Sequence, residues 1–126
     1  MKKLFTNIGL SLLAIFMLLV IFPISTVYAI GYCIIVYDKK GTIEYLNKFF
    51  HSIALSLDQL GNVVCQHLFN MLFIKNLLHP FGNPDKTVSS VLGINKINNN
   101  LTWIGKILDF ILEKIDSGHT IESIDI

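Results

Sequence analysis

Residues 4–37 contain no Asp, Glu, Lys, Arg or His, and this uncharged, mostly apolar run constrains the chain more than any other feature. A spanning helix needs about 20 such residues, so the run is long for one untilted span and short for two. Pro23 divides it into Leu4–Phe22, about 28 Å long as a helix, and a shorter second part, Ile24–Tyr37. Three readings are open. One is a single helix kinked near Pro23. Another is a hairpin turning at Pro23-Ile24-Ser25-Thr26. The third is a leader cleaved after Val27-Tyr28-Ala29. Lysines flank both ends (Lys2 and Lys3, Lys39 and Lys40). Cations favour the cytoplasmic side, which suits the hairpin and leaves one cluster misplaced on a single span. The sequence stays apolar past the cleavage site, which favours a retained anchor. The chain is therefore expected to be all-α, with a membrane segment at 1–37 and a small helical region at 38–126. The bilayer is its first partner, either a bacterial inner membrane or a virion membrane.

Charged residues make up 15% of the chain against about 25% in ordinary soluble domains, and the deficit lies in the first third. The net charge of +1 and the dispersed cations, all of them Lys, provide no field for the phosphate backbone. Nucleic acid is therefore excluded as a partner. Cys33 and Cys65 belong to no CxxC or Cys/His pattern and read as free thiols. The abundance of Ile and Asn suits an AT-rich coding sequence better than it suits any mechanism.

Beyond the polar break Asp38-Lys39-Lys40-Gly41, the residues Leu46, Phe50, Ile53, Leu57, Leu60, Val64, Leu68 and Met71 step by three or four. The spacing predicts a long amphipathic helix whose stripe meets a partner helix, the membrane surface or another copy. Lys48, Asp58, Asn62 and Gln66 fall off the stripe. The helix is expected to fade near Leu78-His79-Pro80. Asn83-Pro84-Asp85 reads as N-cap, first turn and dipole partner of a short helix from Pro84 to Leu92, stopped by Gly93. A last helix over Leu101–Ile115, capped by Asn100, carries Leu101, Ile104, Leu108, Ile111 and Ile115 on one face. A tail with alternating Ile121, Ile124 and Ile126 follows.

Asp58, Gln59, Asn62, Asp85, His119 and Glu122 are the residues that could carry chemistry. Asp58 and Asn62 are one turn apart and share a face, as a helix-packing contact or a binding patch. Asp85 is what a helix N-terminus asks for. Ser89 and Ser90 lack a G-x-S-x-G turn, and His119 suits a helix C-terminus. His51, His67 and His79 form no metal motif, so neither a metal nor a cofactor is expected. No acid–base or nucleophilic set is visible in the sequence.

Three motifs remain: Asp58-Gln59-Leu60-Gly61-Asn62, then Gly82-Asn83-Pro84-Asp85-Lys86-Thr87-Val88-Ser89-Ser90, then Asp116-Ser117-Gly118-His119. Together they resemble a family of small proteins encoded by bacteriophages and prophages, with a D-Q-x-x-N helix, a G-x-P-D-E-T-[IL]-S-S segment and a terminal D-P-x-H-C. The resemblance covers roughly residues 55–125. Lys86 stands where that family tends to have Glu, Ser117 where it often has Pro, and Thr120 where it often has Cys. The resemblance implies a phage or prophage origin and no particular activity. The functional expectation is a non-enzymatic membrane protein working through helix–helix contacts, by self-association or with another membrane or envelope protein. The alternatives are a tethered binding module presenting Asp58, Asn62, Asp85 and His119 to a host protein, and a small hydrolase using Asp85 and His119.

Overall fold

The computed structural model describes residues 1–125, apart from the Asp125 side chain. Every named element in it is helical, and the chain divides into two units, residues 1–50 and 51–126. Ile126, the last of the three alternating tail isoleucines, lies outside the described residues.

In the first unit, α1 (Lys2–Val36) is one unbroken helix with Pro23 inside it. Proline removes a single i→i−4 bond, and the rest of the ladder carries the helix across, so there is no hairpin turn at 23–26. At about 1.5 Å per residue, α1 is long enough to cross a bilayer, and an 18-residue stretch of it with a mean hydropathy of 2.6 makes it apolar enough. It ends where Tyr37 turns extended. The break is short because Asp38 immediately caps α2 (Lys39–Val64), its Oδ1 accepting from the Gly41 amide at 2.8 Å. Thr42 Oγ1 donates to the Cys33 carbonyl at 3.0 Å, and Cys33 is buried and unpaired. Tyr28, Tyr32, Tyr37, Tyr45 and Phe49 form a run of neighbouring rings with centroids 6.0–6.4 Å apart. Such rings suit the headgroup layer of a bilayer.

The second unit begins within α2 and continues through α3 (Gln66–Leu72), α4 (Val88–Ile97), α5 (Trp103–Ile115), α6 (His119–Glu122) and a 3-10 turn, Ser123–Asp125. The long helix thus breaks at Cys65 and stops at Leu72, short of Pro80. Proline is not the cause: Ile74 forms a lone antiparallel bridge with Leu101, fixed by Lys75 N–H on Asn100 O at 2.8 Å and Thr102 N–H on Phe73 O at 2.9 Å. The apolar core is small. Ile74, Phe81, Val91, Leu92 and Leu101 are its buried members, with Phe69, Phe73, Val88, Leu108 and Leu112 packed around them.

The interior holds more buried polar side chains than apolar ones: Asn62, Thr87, Ser89, Ser90, Asn95, Asn100, Asp109, Thr120 and Ser123 are all inside. Buried polar groups persist when they are hydrogen-bonded, and asparagine, with donor and acceptor on one planar group, ties loops to helices here. Asn70 brackets Phe81, accepting from its amide at 2.7 Å and donating to its carbonyl at 3.3 Å. Asn95 donates to His79 O and Val91 O, both at 2.8 Å, and accepts from Asn100 Nδ2 at 2.7 Å. The asparagine content therefore has a structural use that composition did not reveal.

Candidate functional site

The three sequence motifs, 20–30 residues apart, meet in the second unit. Asp58 on α2 faces the N-terminus of α4. Its Oδ1 accepts from Val88 N–H at 3.0 Å, and its Oδ2 accepts from the Ser89 hydroxyl at 2.8 Å and the Ser89 amide at 3.4 Å. These amides are unpaired within α4, so a carboxylate placed there both satisfies them and complements the helix dipole. One turn along, buried Asn62 donates to Asn83 O and Lys86 O, each at 2.8 Å, and accepts from Gly82 N–H at 3.0 Å. It thereby fixes the loop that enters α4.

The expected cap at Asn83 is corrected. Asn83 Oδ1 accepts only from the Asp85 amide, at 3.0 Å, within an exposed turn. The helix starts at Val88, with Thr87 as N-cap accepting from Ser90 N–H at 3.0 Å. It runs past Gly93 to Ile97. The last helix likewise starts at Trp103, with Thr102, not Asn100, as its cap.

From the other side comes His119, the first residue of α6. Its Nε2 lies 3.1 Å from Ser89 Oγ and its Nδ1 3.1 Å from Asp116 Oδ2. Asp116, His119 and Ser89 thus lie in the order of a hydrolytic triad. The hydrogen bonding is different. Ser89 has one hydroxyl hydrogen, and the carboxylate of Asp58 takes it. Nε2 must then donate to Ser89 rather than accept from it. Asp116 needs the hydrogen on Nδ1, so all the bonds hold together only when both ring nitrogens carry hydrogen. Nucleophilic activation requires the reverse direction at Ser89. The amides of Val88 and Ser89, which would otherwise serve an oxyanion, are already bound to Asp58. Ser89 is only 3% exposed. The adjoining cavity of about 80 Å³, lined by His51, Leu55, Asp58, Thr87, His119 and Ser123, is far below the roughly 300 Å³ of small-molecule sites.

Of the other sequence candidates, Ser90 is fully buried, and its Oγ is the one buried side-chain polar atom without a partner among the described residues. Pro84 and Asp85 are exposed in the turn, Gln59 is half-buried on α2, and Glu122 is exposed. None of them joins the Asp58–Ser89–His119 chain. Among the described residues, no three His, Cys, Asp or Glu side chains come together to hold a metal ion.

A second polar cluster lies behind α6 and carried no signal in the sequence. Lys96 on α4 pairs with Asp109 on α5 at 2.9 Å and with Glu113 at 3.7 Å. The buried Thr120 hydroxyl sits between the two carboxylates, 2.8 Å from Asp109 Oδ1 and 3.2 Å from Glu113 Oε1. A hydroxyl suits this place between two carboxylates, since a thiol donates far more weakly. Hydrogen bonding to Asp109 holds the Lys96 ammonium above its ordinary value. The Gly118 amide, at 2.8 Å, is first among the contacts that hold Glu113 below its own.

Because the unfolded chain protonates Glu113 at a higher pH than the folded one, this group stabilises the fold above the ordinary glutamate range. That contribution is lost as the pH falls through the depressed value. Thermal unfolding of the detergent-solubilised chain and of Glu113→Gln, followed by circular dichroism, should show the widest Tm gap near neutral pH. The gap should close in acid; a pH-independent gap would refute the assignment.

No protein-family model, curated protein or solved structure matches the chain.

Proposed function

We propose that this chain is a bilayer-anchored, non-enzymatic protein of phage type, acting at a host envelope or in a lipid-containing particle through contacts made by its helices. One observation carries the reading: the division of labour among its side chains. The polar residues suited to chemistry, Asp58, Asn62, Ser89 and His119, are bonded to one another and to the backbone. The large apolar residues of the α2–α3 stripe, Leu57, Leu60, Val64, Leu68 and Met71, stand outside. A surface of that kind suits packing against another helix. The resemblance of the three motifs to phage proteins supports the setting. A binding patch built from Asp58 and Asn62 is disfavoured because both turn inward.

The chain expressed in bacteria should remain in the membrane pellet after alkaline carbonate extraction. A photo-crosslinking residue at Val64 or Met71 should give discrete adducts with a second copy or with another membrane protein. Recovery as a soluble monomer without detergent would overturn the proposal.

A further inference from the structure

The outer face of α5 has a composition of its own. Trp103, Lys106, Ile107, Phe110, Ile111, Lys114 and Ile115 are the exposed residues of this helix. Trp103 is 73% exposed and Ile115 78%. The face is thus large apolar side chains and two cations. Both carboxylates of the helix, Asp109 and Glu113, lie away from this face, paired with the single Lys96. The Lys114 ammonium sits 5.2 Å from the centroid of the Phe110 ring, and a lysine beside apolar side chains can lay its stem on them and keep its charge in the headgroup layer. Asp116, the exposed carboxylate just past the helix, pairs with His119.

We infer that α5 is an interfacial helix that seats its exposed face in the headgroup layer of an anionic bilayer. A helix with aromatic and aliphatic residues on one side, lysines among them and no outward carboxylate meets the requirement for such binding. A protein partner would not call for the removal of every acidic group from the face. Anionic lipid does, and each lysine near such a surface adds about 1 kcal/mol, or roughly fivefold in occupancy. The inference rests on the proposed anchoring by α1, which ties the second unit to a bilayer.

Trp103 is the chain's single tryptophan, so its fluorescence reports this face alone. The full chain would be reconstituted into vesicles of phosphatidylcholine, with and without phosphatidylglycerol, and checked for co-flotation. In the anionic vesicles Trp103 should emit at shorter wavelength and be quenched by brominated acyl chains. Lys106→Gln with Lys114→Gln should shift seating about 25-fold toward the free state, fivefold for each lysine. Both lysines are exposed, so loss of fold in the double variant would show independently in its circular dichroism, and Ile107→Ser with Ile111→Ser gives a second route to the same loss of quenching. Flotation with Trp103 left open to aqueous iodide overturns the α5 inference and leaves the anchoring intact. Equal bromolipid quenching in neutral vesicles overturns the assignment to anionic lipid. Failure to float with either vesicle overturns both readings.

Discussion

Gly93→Ala should destabilise the second unit by about 3 kcal/mol, at the upper end of overpacking costs, and lower its Tm by about 15 °C for a unit of this size. A methyl group at Gly93 would land on the backbone carbonyl of Thr120 and close to the Ile124 side chain. The carbonyl cannot rotate away. Thr120 is fully buried, its hydroxyl held between Asp109 and Glu113, and α6 begins just before it at His119. Either α4 moves off α6 or the Ser89–His119 contact opens. Gly61→Ala is the control within the same unit. A Cβ there meets only a Val88 methyl at 3.7 Å, an ordinary contact. Replacing a glycine inside a helix should then stabilise by up to about 1 kcal/mol. Opposite signs for two glycine-to-alanine changes, read by thermal unfolding in detergent, test the packing of α4 on α6. Equal shifts would refute it.

The same residue shows where sequence reading succeeds and where it stops. α1 is legible because an uncharged run of that length has few alternatives, and the helical period of α2 is legible because apolar residues recur at three and four. Gly93 reads as a helix stop, since glycine commonly follows a helix, yet it lies inside α4, where its lack of a side chain is used for close approach. No local pattern separates these two uses. The orientation of α2 is hidden for a related reason. A periodic stripe defines two faces without saying which one turns inward. Asp58 and Asn62 face the interior here, as does Asn70 on α3, while Leu57, Leu60 and Val64 face out. The ordinary rule inverts because a core with few apolar side chains is completed by hydrogen bonds. Asn83-Pro84-Asp85 misleads because an asparagine side chain serves a turn as well as it serves a helix cap, and Thr87 takes the cap. The motifs could be quoted, but their meeting at Ser89 depends on pairings 30 and 31 residues apart, which spacing does not encode.

Asn62→Asp, the most conservative substitution available by shape, should cost at least as much as Asn62→Ala, about 3 kcal/mol or more in either case. Asn62 is fully buried, and its amide nitrogen donates to two carbonyls, Asn83 O and Lys86 O. Alanine leaves the Lys86 carbonyl and the Gly82 amide without partners, and the Asn83 carbonyl with the Lys86 amide alone, at 3.0 Å. Aspartate keeps the bond from Gly82 N–H but aims a second acceptor oxygen at the two carbonyls, with a buried charge added. A side chain that acts by shape or by accepting hydrogen bonds would tolerate the change; one that acts as a two-pronged donor does not. Asp58→Asn is the contrasting case. It retains an oxygen for Val88 N–H but loses the charge beside the α4 N-terminus and sets a donor where Oδ2 accepts from Ser89, whose hydroxyl can turn to accept instead, so about 1.5 kcal/mol is expected. Urea unfolding of the three variants in a common detergent should therefore place Asn62→Asp with Asn62→Ala and well below Asp58→Asn. If Asn62→Asp instead unfolds like the parent, Asn62 does not fix the loop before α4, and the inward-facing reading of α2 fails with it.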